Sequence, residues 1–376
     1  MLRLASKYPK LVEITALFVI FILGKFTYFA FLSFVIEHIA LHDVFYNVNF
    51  YFRYYYFIPS SLFCVGIFIL PFMTLLAQEH GYKRVLIYII LANILGCSIL
   101  YLYVSYITLL ISVLLLSLNL SLIAVICLKI WHILPRKKAS FAVIFSVCIY
   151  FLLMSLAIKF YYLIQEENFT TGRLLLGIIF SLVALVTIFT FVKGQPDRFN
   201  FLRYQEKIYI GFFQAIKHYQ YLLNIFGLIF FIIGFRMLMD KLILPSVTLK
   251  LGILLESHII FIIIMQMLLA ILWAWLGVFY LRHKYLLWVS IILVICTNIA
   301  MLVYLIYYEN GYLEFGYILF TIDRIISFAA STYIVGYCLS SILNFFRKSQ
   351  AQAFMVGLFA TLSNVTVWVI LQLMLI

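Results

Sequence analysis

Uncharged, almost wholly apolar runs of twenty or more residues recur along this chain, and they decide what it can fold into. Residues 14–36 are the first, twenty-three residues with a single charge. At about 1.5 Å per residue they cross the ~30 Å hydrocarbon core of a bilayer as one helix. Of the 376 residues, 10% are charged and 67% hydrophobic, whereas a soluble domain carries about 25% charged residues. The alternating segments of a β-barrel do not occur, and aromatic residues run through the apolar stretches rather than bordering them. The expected fold is therefore all-α, a polytopic transmembrane helix bundle.

Charged breaks divide the apolar runs into eleven expected helices, at 11–38, 54–77, 84–105, 107–129, 139–164, 173–193, 219–240, 257–281, 285–308, 316–343 and 351–376. Eighteen of the 26 basic residues fall in alternate connections, four in the remaining ones and four within spans. Under the positive-inside rule that bias places the N-terminus and the basic turns in the cytoplasm. The basic start MLRLASKYPK precedes a run too long for a signal-peptide core and reads as the lead-in to a retained first helix. The net charge of +13 sits in short clusters between spans, so it encodes topology and no nucleic-acid partner is expected. The six cysteines lie in apolar runs without C-x-x-C spacing or a companion histidine. They read as small core residues, and neither a metal nor a cofactor is expected.

One long basic segment, KGQPDRFNFLRYQEKIYIGFFQAIKHY at 193–219, separates six spans from five. The expected organisation is an N-terminal half at 1–193, a cytoplasmic linker at 194–218 and a C-terminal half at 219–376. The halves rhyme. Each has a first helix, a longer outside connection (41–53; 241–256), a second helix and a tight basic turn (79–84; 281–285). Each then has a basic turn leading into small residues, PRKKASFAV at 135–143 and FRKSQAQAF at 346–354. Parallel repeats of about six spans are a plan of secondary transporters.

The stretch PFMTLLAQEHGYKRVLIY at 71–88 resembles the signature of the major facilitator superfamily, a glycine, an aspartate and a basic-x-Gly-basic-basic turn between the second and third helices. Gly81, Lys83 and Arg84 match the turn, while Thr74, Gln78 and Glu79 stand where the glycine, the aspartate and a basic residue are expected. The second-half copy keeps only Gly277 and Arg282. The resemblance implies two pseudo-symmetric halves, a small-molecule substrate, alternating access and a monomer in the inner cell membrane. Against the family's twelve helices the chain reads as a divergent member with eleven, the last ending outside. The resemblance also implies that the first, fourth, seventh and tenth helices line a central cavity.

The ionisable residues deepest in spans are Lys25 in the first, Arg236 in the seventh, and the adjacent Asp323 and Arg324 in the tenth. The fourth span carries Asn119 between Ser117 and Ser121. Lysine at a helix centre is unfavourable by roughly 2.5–3.5 kcal/mol, so Lys25, with Tyr28 three residues on, is expected to face a hydrated cavity; the bland alternative is a structural pair with an internal carboxylate. Arg236 lies nearer an outer end, where snorkelling or an i, i+4 pair with Asp240 competes with a substrate role. Asp323 and Arg324 point about 100° apart on a helix, which sends each to partners elsewhere. Asp323, Ser327, Ala330 and Ser331 form a small polar stripe. The expected substrate-binding residues are thus Lys25, Tyr28, Asn119, Arg236 and Arg324, with Asp323 in proton coupling or gating. Lys159 and Glu37 read as groups at outer helix ends, and His258 and Gln266 of the eighth span as hydrogen-bonded structural residues in preference to cavity residues.

Three bases against one acid favour an anionic or carboxylate-bearing solute such as a metabolite, a peptide or a siderophore-like molecule. No G-x-x-x-x-G-K-[ST] motif offers ATP drive. The functional expectation is a proton-coupled secondary active transporter. The competing class, a polytopic enzyme of lipid-linked sugar or acyl transfer, needs an acid or histidine pair at one membrane face. Only His42 with Asp43, and Glu166 with Glu167, qualify. The sequence NFT at 168–170 matches an N-glycosylation acceptor.

Overall fold

The computed structural model describes the backbone of residues 9–41, 49–163, 170–194, 199–280, 283–307 and 313–375. Among these the regular structure is helical throughout. The helices are α1 (Pro9–Leu41), α2 (Asn49–His80), α3 (Tyr82–Leu102), α4 (Tyr106–Ser117), α5 (Ser121–Ile133), α6 (Arg136–Leu163), α7 (Thr170–Phe191) and α8 (Phe201–Lys217). They continue as α9 (Tyr219–Trp275), α10 (His283–Tyr307), α11 (Leu313–Phe345) and α12 (Gln352–Leu375).

Among the described residues eight segments are long and apolar enough to cross a membrane: Pro9–Phe34, Tyr82–Leu102, Ile107–Ile133, Gly172–Phe191, Tyr219–Arg236, Phe261–Tyr280, His283–Tyr307 and Phe315–Phe345. They coincide with eight of the eleven expected spans. The other three, 54–77, 139–164 and 351–376, lie on α2, α6 and α12 and run partly into residues whose side chains are not described. The chain is an integral, multi-pass membrane protein.

Two local expectations change. The outside connection expected at 241–256 is part of α9, a continuous 57-residue helix with a membrane-length apolar stretch at each end. Nine of those sixteen residues are Leu, Ile or Val, and Pro245 and Gly252 stand alone rather than in a turn-forming cluster. The fourth span is not one helix: α4 and α5 are joined by a 3-10 turn at Leu118–Leu120.

The chain divides into two compact units. The first comprises Met1–Ile133, Leu153–Gln214 and Lys348–Thr361. In it α1 packs along α7, α7 along α3, and α2 against α4 and α5. Phe31, Phe34, Cys97, Leu100, Leu109, Val113, Leu116 and Leu174 form one of its apolar clusters. The second unit comprises Leu134–Leu152, Ala215–Arg347 and Leu362–Ile376, with α11 packed against α9 and α10. Cys97, Cys127, Cys148 and Cys338 are buried free thiols, in keeping with core residues, while Cys296 is exposed.

Candidate functional site

In the first unit the mid-span lysine is buried. Lys25 is 1% exposed, and its Nζ donates to the main-chain oxygen of Asn119 at 3.3 Å while lying 5.4 Å from the centre of the Tyr28 ring. Asn119 returns the contact, its Nδ2 donating to the Gly24 carbonyl at 2.9 Å. Close approach at Gly24 permits this: a Cβ there would stand 2.6 Å from Leu122 Cδ2. The Asn119 carbonyl belongs to the 3-10 turn that interrupts the fourth span. Irregular backbone at membrane depth persists only where protein or a lined cavity satisfies it, and here a lysine supplies a donor. Two residues along α1, Thr27 Oγ1 donates to the Gly177 carbonyl or shares a hydrogen with Ser181 Oγ, at 3.0 and 2.9 Å. The structure thus brings Lys25, Tyr28 and Asn119 together. Asn119 Oδ1 and both amide atoms of Asn93, a fully buried residue of α3, have no hydrogen-bond partner among the described residues.

In the second unit Arg236, on α9, donates through Nη1 to the Ser327 carbonyl at 3.2 Å and to Ser331 Oγ, and lies 5.9 Å from the Phe328 ring. The polar stripe expected on the tenth span therefore exists and receives Arg236. Asp323, 2% exposed, accepts from Ser327 Oγ at 2.9 Å. That hydroxyl accepts in turn from Asn298 Nδ2 at 2.9 Å and Thr297 Oγ1 at 3.0 Å, both on α10. Arg324 diverges as adjacent helical residues must: its guanidinium stands 4.8 Å from the Phe320 ring, and its carbonyl accepts from Gln266 at 3.1 Å. Gln266 is accordingly hydrogen-bonded. The side chains of Asp240, Lys159, Glu37 and His258 lie outside the described residues, as do His42, Asp43, Glu166, Glu167 and the NFT sequence from Asn168 to Phe169.

The signature loop is compact. Gly81 alone separates α2 from α3 and adopts φ +100°, a conformation that favours glycine. Lys83 donates to the Phe189 carbonyl at 3.0 Å, and Arg84 is exposed. Partial burial, and then the Arg84 charge, hold the His80 imidazole below its usual range. Glu79, where the signature has a basic residue, is buried and paired with Lys207, with Arg203 Nε at 3.7 Å. Thr74, in place of the leading glycine, is fully buried and donates back to the Leu70 and Pro71 carbonyls of its own helix, at 3.1 and 2.9 Å.

Sequence reading missed several of these groups. It counted Lys129 and Lys207 as loop charges, but both sit in buried ion pairs, Lys129 with Glu13 at 3.3 Å. Arg173, also counted in a loop, is 3% exposed. The hub role of Ser327 with Thr297 and Asn298 had only the α11 half of its signal in sequence.

The fold is that of the major facilitator transporters, an all-α polytopic bundle. The chain is similar to the crystal structure of the human organic anion transporter MFSD10 (TETRAN), with a TM-score of 0.61 and 12% identity over 96% of this chain and 93% of that one. It is also similar to the proton:xylose symporter XylE bound to 6-bromo-6-deoxy-D-glucose (TM-score 0.62, 13% identity, 96% and 89% covered). The E. coli fucose:proton symporter FucP is a third similar structure (TM-score 0.55, 11% identity, 97% and 98% covered). The sequence matches no family model and no curated protein.

Proposed function

We propose that this protein is a secondary active transporter that moves a small anionic or carboxylate-bearing solute by alternating access, coupled to protons. The carrying observation is Lys25, an ionisable amine at 1% exposure in mid-span, seated on the carbonyl of a 3-10 turn that breaks the fourth span. Interrupted spans at the midplane are a recurrent way of building transport sites. In this reading Lys25, Tyr28 and Asn119 bind substrate from the N-terminal half, 1–193, and Arg236 and Arg324 from the C-terminal half, 219–376, joined through the segment 194–218. Asp323 is the proton-coupling or gating acid in this reading, because it is a buried ionisable group within a span whose described hydrogen-bond partner is the Ser327 hydroxyl. Gly81, Lys83 and Arg84 shape the cytoplasmic loop. The protein acts as a monomer in the inner cell membrane with a cytoplasmic N-terminus. Similar folds in an organic anion transporter and two proton symporters support the reading by analogy.

The test is counterflow in proteoliposomes with a panel of labelled organic anions and neutral sugars. Accumulation of an anion that Lys25→Met removes, with membrane insertion preserved and cooperative melting retained, is the expected result. Undiminished counterflow by Lys25→Met, or movement of neutral sugars alone, overturns it.

A further inference from the structure

Helix α8 belongs to the segment between the two runs of spans, yet its amphipathicity is inverted for a helix surrounded by water. The side against the first unit is polar or small. Tyr204 Oη donates to the Phe72 carbonyl at 3.2 Å, Lys207 pairs with Glu79, and Gly211 abuts Phe354 so closely that a Cβ would overlap the ring. The opposite side carries an exposed apolar stripe bordered by exposed Gln205 and Glu206: Leu202, Tyr209, Phe213 and Ile216 are 75, 76, 66 and 71% exposed. At about 100° per residue these four project within an arc of about 60°.

Three observations say what covers that stripe. The helix is tethered to membrane spans at both ends, Phe191 closing the span before it and Tyr219 opening the next after a single intervening residue, His218. The apolar exposure continues into that next span at Tyr219, Leu223 and Phe230, residues of a membrane-crossing segment. The flank of the stripe carries two cations against one acid: Arg203, its side chain 66% exposed with Nε 3.7 Å from Glu79, and Lys217, with Glu206 between them, Lys217 and Glu206 both exposed. Apolar face, basic flank and tethering at a span boundary define a helix lying in a membrane interface.

We infer that α8 is embedded in one leaflet of the bilayer, its Leu202–Tyr209–Phe213–Ile216 stripe at the acyl boundary and Arg203 and Lys217 against anionic lipid headgroups. The ion pair with Glu79 fixes its rotation, so that polar groups face protein and apolar groups face lipid. This holds whatever solute the protein carries.

The test uses the full chain in vesicles of phosphatidylcholine with phosphatidylglycerol, and a photo-reactive benzoylphenylalanine replacing Leu202, Phe213 or, as the control, Tyr204. Lipid adducts at 202 and 213 in about tenfold excess over 204 are expected. Adducts to a second copy of the chain, or equal lipid labelling at all three positions, overturn the inference. A second arm follows amide hydrogen exchange of 201–217, which is expected to slow several-fold when phosphatidylglycerol is present. Equal exchange in neutral and anionic vesicles refutes the headgroup contact.

Discussion

At the residue scale, the site depends on small groups that place large ones. Lys25 reaches the Asn119 carbonyl because Gly24 lets the fourth span approach, so replacing the cation leaves the packing standing. Lys25→Met keeps the volume but takes a donor from the buried Asn119 carbonyl, so a stability loss of about 1–3 kcal/mol is expected while transport disappears. Thermal melting beside counterflow separates the two. Ser327 is the corresponding point in the second unit, where one hydroxyl serves Asp323, Asn298 and Thr297. Ser327→Ala removes the hydroxyl from a buried carboxylate and one of two acceptors from the Asn298 amide, which keeps the Val294 carbonyl, with an expected loss of about 1–3 kcal/mol and a shifted pH profile of transport. An unchanged melting temperature and profile would show the network to be idle.

At the element scale, the first unit is held by contacts between segments far apart in sequence. Glu79 and Lys207 are buried together, so truncating one leaves the other charged and dry. Glu79→Ala is expected to destabilise by about 3–5 kcal/mol, and Glu79→Met with Lys207→Met by much less; a double-mutant cycle on melting temperatures measures the coupling. The α12 contact with α2 is tighter still. A Cβ on Gly357 would overlap the Pro71 backbone and stand 2.8 Å from the Leu70 carbonyl oxygen. Gly357→Ala is expected to cost about 1–3 kcal/mol, read as a lowered midpoint in thermal unfolding, because rigid backbone rather than a side-chain tip must yield. Glycine at 81 answers a different demand, a positive φ where α2 turns into α3.

At the scale of the whole molecule, what sequence made legible was whatever hydrophobicity and charge write locally. Eight spans emerged because twenty apolar residues in a row have few alternatives, and Lys25 stood out because it violates that pattern. What stayed hidden was set by partners from elsewhere in the chain. Glu79 read as a mismatch in a signature until Lys207, 128 positions away, met it. The helix α8 read as polar linker because its cations were counted without their burial, and α9 read as two helices because the charges at 240–256 were taken as a break. The charge asymmetry makes its own prediction about the assembled protein. A reporter enzyme active only outside the cell should stay silent when fused after position 194 and become active after position 167. The opposite pattern would invert the orientation.

The turn at Leu118–Leu120 has a mechanical consequence. A 3-10 segment rises about 2.0 Å and rotates about 120° per residue, against about 1.5 Å and 100° for an α-helix. Rewinding those three residues as α would shorten the span by about 1.5 Å and swing α5 by about 60° about its axis. A screw of that size would turn a different line of α5 side chains toward its neighbours, and it would carry with it the carbonyl in the middle of the turn to which the Lys25 amine is hydrogen-bonded.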